Sequence, residues 1–130
     1  MPVPDIAALA VTLGNTGVVN IPGPTGTGVF AVATVNVGAS GQTTVSADTG
    51  GTVLPVSLTV CQTNPQSGVC MAPPSTIVMT QIDANTTPTF AIFVTGQKAV
   101  QFSPATNCIF VRFVSGGVTR GATSVAVQTQ

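Results

Sequence analysis

The chain has 130 residues, 44% of them hydrophobic and only 5% charged, with three basic and three acidic side chains and a formal net charge of zero. A typical domain carries about 25% charged residues; here Lys98, Arg112 and Arg120 face only Asp5, Asp48 and Asp83, which leaves no basic footprint for nucleic acid. The apolar content equally excludes an ordinary disordered segment, which is poor in such residues and often carries net charge.

Residues 6–13 (IAALAVTL) contain Ala7, Ala8 and Ala10, and this Ala content favours helix. They end in a β-type run followed by GNTG, and a strand is expected. Residues 18–21 (VVNI) are expected to pair beside it. Residues 22–28 (PGPTGTG) form a turn-rich linker that no regular element tolerates. The expected organisation is therefore an N-terminal extended segment and linker over residues 1–28, then one domain over residues 29–130.

Residues 29–37 (VFAVATVNV) predict a long strand. One face carries Val29, Ala31, Ala33, Val35 and Val37, and the other Phe30, Val32, Thr34 and Asn36. A GASG turn leads to a short strand over residues 43–47 with Val45 inward, and the two read as a hairpin. In residues 53–60 the apolar Leu54, Val56, Leu58 and Val60 alternate with small or polar residues, the period of a half-buried strand. Cys61 and Cys70 follow, separated by two turn-forming pairs, Asn64 with Pro65 and Ser67 with Gly68, and Pro73 and Pro74 close the excursion.

Further strands are expected over residues 76–82, 89–94, 108–114 and 118–128, with a short extended piece over residues 99–102. Residues 89–94 (TFAIFV) are apolar on both faces and predict a central strand. Seven to nine short strands with a turn signal roughly every ten residues predict an all-β antiparallel sandwich. No segment has the length of a membrane span. No Lys or Arg precedes Lys98, so residues 1–19 do not read as a signal peptide, and the chain reads as an excised or mature domain.

Chemistry is thinly provided. Without His there is no Ser–His–Asp or Cys–His catalysis and no usual zinc site. Asp5, Asp48 and Asp83 each lie beside turn residues, where Asp serves local hydrogen bonding, and no calcium-loop spacing is present. The glycines of residues 23–28 lack the Gly-Lys-Ser/Thr ending of a phosphate loop. Asn85, Thr86 and Thr87 fit a glycosylation sequon that chance also explains. Phe90, Phe93, Phe102, Phe110 and Phe113 read as core aromatics; the competing reading is an exposed patch with Phe110 beside Arg112. Trp and Tyr, the usual sugar platforms, are missing. No catalytic, cofactor-binding or metal-binding residue is expected, no cofactor, and no small-molecule ligand. The three cysteines allow three single pairings. Cys61 with Cys70 closes the shortest loop and has turn residues between, so that bridge is expected, with Cys108 a free buried thiol.

Three groups of residues carry a resemblance: residues 54–56 (LPV); residues 61–65 (CQTNP) with 70–74 (CMAPP); and residues 109–113 (IFVRF) leading to 120–127 (RGATSVAV). Together they resemble an immunoglobulin-like β-sandwich module of large exported bacterial proteins. The resemblance runs from Val29 onward and leaves residues 1–28 outside. It implies a secreted or cell-surface module with a Cys61–Cys70 bridge and no catalytic residue; Cys108 departs from its pattern.

Two functions are expected from these observations. The first is a non-catalytic extracellular module that acts as a spacer or contacts a protein partner. The second is a self-assembling filament subunit whose N-terminal segment adds as a strand to a neighbour's sheet. Near-zero net charge, which offers little repulsion between copies, motivates the second.

Overall fold

The alternating stretches of the sequence become nine strands. The computed structural model describes residues 3–129; Met1 and Pro2, at the start of the expected N-terminal segment, and Gln130 lie outside the described residues. In chain order the strands are β1 (Ile6–Val11), β2 (Val18–Ile21), β3 (Thr27–Asn36), β4 (Gly41–Asp48), β5 (Val56–Thr63), β6 (Ile77–Ile82), β7 (Thr89–Gly96), β8 (Cys108–Ser115) and β9 (Val118–Thr129), with one 3-10 turn at Leu13–Asn15. They form two sheets, a four-stranded sheet A ordered β1-β3-β7-β5 and a five-stranded sheet B ordered β2-β9-β8-β4-β6. The expected all-β sandwich is present. Its one departure from antiparallel pairing is β2, which runs parallel to β9 and not beside β1 as the sequence suggested. Among the described residues no helix is long and apolar enough to cross a membrane.

Between the sheets lies a dry core. Phe30, Phe90 and Phe113 fill its middle, with Ile21, Ile82, Ile92 and Ile109 around them. The rings of Phe90 and Phe113 meet edge to face at 5.6 Å. Each such side chain contributes about 1.5–3 kcal/mol when taken out of water. The other aromatics divide: Phe93 and Phe110 are half-buried and Phe102 is exposed. β7, apolar on both faces, sits between β3 and β5 as expected of a central strand.

β3 settles which of its two faces is the core. The mixed row of Phe30, Val32, Thr34 and Asn36 points inward, and the aliphatic row from Val29 to Val35 points out. Phe30 and Val32 supply the volume the core needs, and the two polar residues are fully engaged. Thr34 donates to the Pro88 carbonyl at 2.6 Å. The Asn36 amide donates to the carbonyls of Ala39 (2.9 Å) and Ile82 (3.2 Å). Its Oδ1 accepts from the amides of Asp5 (3.1 Å) and Gly38 (3.0 Å).

That hub explains a correction. The expected hairpin of β3 with β4 does not form, because the chain passes from sheet A to sheet B at residues 37–40. The crossing is pinned from three sides: by Asn36, by the Val37 amide on the Asp5 carbonyl (2.9 Å), and by the Ala39 amide on the Val3 carbonyl (2.9 Å). Gly38 lies so close to the Val3 carbonyl that any side chain there would collide with it.

The boundary expected at Val29 falls inside β3. The residues before it supply β1 to sheet A and β2 to sheet B, and Ile6, Val19 and Ile21 belong to the core.

Candidate interaction surfaces

Successive side chains on a strand alternate between faces, so the pairing registers define the outer face of sheet A. Its outer rows read Leu9, Ala33, Thr89, Thr63; then Val11, Ala31, Ala91, Cys61; then Val29, Phe93, Thr59; then Thr27, Thr95, Ser57. No residue in these rows carries a charge. Leu9 is 66% exposed and Val29 49%. Hydroxyl pairs cross the strands at Thr63 with Thr89 (2.7 Å) and Thr27 with Thr95 (3.1 Å). Ala7, Leu9, Ala33 and Val35 bound a shallow depression of about 280 Å³. In the sequence the β3 part of this surface is visible only as a row of small aliphatic residues, which reads equally well as a core face.

The Cys61–Cys70 bridge is formed, with the two Cα atoms 5.6 Å apart. Cys61 points to the outer face of sheet A and is buried. Beyond the turn at residues 64–69 the chain runs back along the free edge of β5. The Met71 amide donates to the Gln62 carbonyl (2.9 Å), and Val60 and Ser75 exchange two bonds of 2.7 and 3.0 Å. The disulfide thus anchors an extra rung over an edge strand. Cys108 is a free thiol, as expected, but it is half-buried on the outer face of sheet B, with its S–H donating to the Pro104 carbonyl at 3.0 Å.

Sheet B carries the one close ion pair among the described residues. The Arg112 guanidinium donates to both carboxylate oxygens of Asp48, at 2.7 and 3.2 Å, and lies 5.3 Å from the centroid of the Phe110 ring. The Gly50 amide adds a third bond to Asp48 Oδ1, at 2.8 Å. The hydrogen bond from Arg112 holds the Asp48 carboxyl below its ordinary range, against a smaller opposing effect of burial, and the same bond raises Arg112. Asp48 is therefore a turn residue, as its neighbours suggested, with a salt bridge added by the fold.

Asp83 shapes the β6–β7 turn, its carbonyl accepting from the Thr86 hydroxyl at 2.6 Å. Asp5 lies at the start of β1, where its carbonyl accepts from Val37. Among the described residues no three His, Cys, Asp or Glu side chains gather as a metal site. The larger recesses are a groove of about 490 Å³ between β2 and β3, lined by Val18, Asn20, Pro22 and Thr27, and a cleft of about 340 Å³ between the disulfide loop and the β6–β7 turn, lined by Gln62, Met71, Gln81 and Asp83.

No protein-family model matches the chain, and no curated protein matches its sequence. The chain is similar in structure to the N-terminal domain of PorA, at 11% identity and a TM-score of 0.52, over 95% of this chain and 98% of that one. That likeness is one of fold. The structure of AvmM, which catalyses macrocyclization in alchivemycin A biosynthesis, aligns at 13% identity and a TM-score of 0.49, over 96% of this chain and 88% of that one.

Proposed function

We propose that the chain is a non-catalytic module of a secreted or cell-surface protein and that it works by contact with another protein surface. The observation that carries this reading is the outer face of sheet A, four strands wide and without a charge. Its exposed apolar residues, Leu9, Val11 and Val29, are of the kind that marks interaction sites on soluble proteins. The Cys61–Cys70 bridge supports an oxidising, exported setting, since such bonds are rare where thiols are kept reduced. The topology supports an immunoglobulin-like arrangement, with β1 in one sheet and β2 beside the last strand of the other. The domain of PorA shows this fold serving as one part of a longer protein.

Surface labelling of intact cells with a membrane-impermeant amine reagent, followed by non-reducing peptide mapping, tests the setting. The expected result is a labelled chain with Cys61 joined to Cys70 and Cys108 open to alkylation. An unlabelled chain with all three cysteines reduced would overturn it. A hydrolase panel tests the absence of catalysis; turnover that disappears in Asp48→Asn or Asp83→Asn would refute that part.

A further inference from the structure

Two open sheets have four edges, and among the described residues three of them are partly covered. β5 is covered at Val60 and Gln62 by the rung of residues 70–75 and its disulfide. β1 closes against β9, where Gly121 sits on the Ile6 carbonyl so tightly that a side chain there would collide. β2 is only four residues long, and the Thr16 hydroxyl bonds the amide (3.3 Å) and carbonyl (3.4 Å) of Val18. β6 is left.

Its free side can be read from the ladder. The Gln42 carbonyl of β4 accepts from Ser115 on the β8 side, so Gly41, Thr43 and Val45 turn their backbone groups toward β6. Their partners are Ile82, Thr80 and Val78. The backbone groups of Ile77, Met79 and Gln81 therefore face outward, and among the described residues no hydrogen bond reaches them. Edge strands are commonly protected by Lys, Pro, a bulge or a covering loop. β6 (IVMTQI) has no charge and no proline, and its register with β4 is unbroken. Its outward side chains include Ile77, 49% exposed, and Met79, 62% exposed.

We propose that β6 is an association edge and that its occupant is β6 of a second copy, paired antiparallel across a two-fold axis at Met79. Such a pair is self-complementary, because both strands offer the same alternating donors and acceptors. Met79 lies opposite Met79, and Ile77 opposite Gln81. No like charges meet in this register, and the net charge of zero adds no repulsion between copies. The exposed Ile77 and Met79 side chains of both copies leave water together. Two five-stranded sheets become one of ten strands, and because a two-fold contact uses the same edge of both copies, the pairing closes at a dimer. A six-residue strand pair is small beside the 1,200–2,000 Å² of roughly standard interfaces, so the dimer is weak.

The proposal adds a contact at the edge of sheet B and does not rest on the sheet A face described above. Sedimentation velocity on the full chain, up to about 1 mM, the range of weak complexes, should show a monomer–dimer equilibrium. Met79→Lys, with circular dichroism confirming the fold, should weaken it at least about tenfold by setting two ammonium groups face to face. Leu9→Lys, on sheet A, should leave it unchanged. In a Cys108→Ser background, Met79→Cys should give an oxidised covalent dimer, because opposed residues lie about 5.5 Å apart, within disulfide reach. Gln81→Cys should not, since it faces Ile77. A protein still monomeric at about 1 mM, a dimer sensitive to Leu9→Lys and not to Met79→Lys, or a monomer whose β6 instead takes up a strand from another protein would each overturn the proposal. All three leave the surface-labelling and turnover results untouched, so failure here is distinguishable from failure of the functional reading.

Discussion

Asn36 is a polar side chain in the core whose hydrogen-bonding capacity is filled by four backbone groups from three parts of the chain. Asn36→Ala would leave two amides and two carbonyls without that partner, each buried group costing about 1–3 kcal/mol when water does not replace it. Urea unfolding should show a loss of about 3 kcal/mol, with the slope unchanged. Asp48 behaves differently because its pair with Arg112 is 39–42% exposed. Solvent screens such a pair to about 0.5–1 kcal/mol. The folded-state carboxyl titrates below the unfolded value of about 3.9, so the contribution is fully present above about pH 4 and is lost as the pH falls through the lower folded value. Asp48→Asn should therefore be less stable than the parent at pH 7, and the difference should shrink as the pH falls below about 4, as urea midpoints across that range will show.

At the scale of elements, β5 shows how a short covalent loop alters a sheet. The bridge closes a separation of nine residues and stabilises by about 2.5 kcal/mol in the chain-entropy model. It also holds residues 70–75 against amides and carbonyls that would otherwise be open. The double variant Cys61→Ala, Cys70→Ala should lose about 2.5 kcal/mol. Hydrogen exchange should quicken at the Val60 and Met71 amides first, well before any amide of β7. Uniform quickening across sheet A would show that the rung and the sheet open as one unit.

At the scale of the molecule, both sheets depend on the first strands. β1 forms one edge of sheet A, β2 forms one edge of sheet B, and Ile6, Val19 and Ile21 are all in the shared core. A chain starting at Val29 would lose two strands, three buried aliphatic side chains and the carbonyls of Val3 and Asp5 that hold the sheet-to-sheet crossing. At about 1.5–3 kcal/mol for each buried side chain, the loss equals much of the roughly 5–15 kcal/mol available to a domain. The truncated chain should be unfolded or aggregated at 25 °C by circular dichroism and light scattering. A soluble β-rich truncation would show that β1 and β2 only decorate a self-sufficient core.

What could be read from the residues is what depends on near neighbours in sequence. Alternation placed the strands, glycine and proline placed the turns, and the short loop with its turn pairs singled out Cys61 and Cys70. The TFAIFV run announced the central strand because both of its faces are apolar. Long-range partners lay beyond that reach. Alternation says that β3 has two faces, but both are largely apolar, and only packing against Phe90 and Phe113 makes the row with Phe30 the inner one. The same limit hid the β3–β4 crossing: a GASG turn suits a hairpin, and the contacts that divert it come from Val3, Asp5 and the Asn36 side chain. The Arg112–Asp48 pair joins residues 64 apart in sequence. The bare edge of β6 exists because β6 ends the order of sheet B, and that is decided by the assembled sheets and by no local property of IVMTQI.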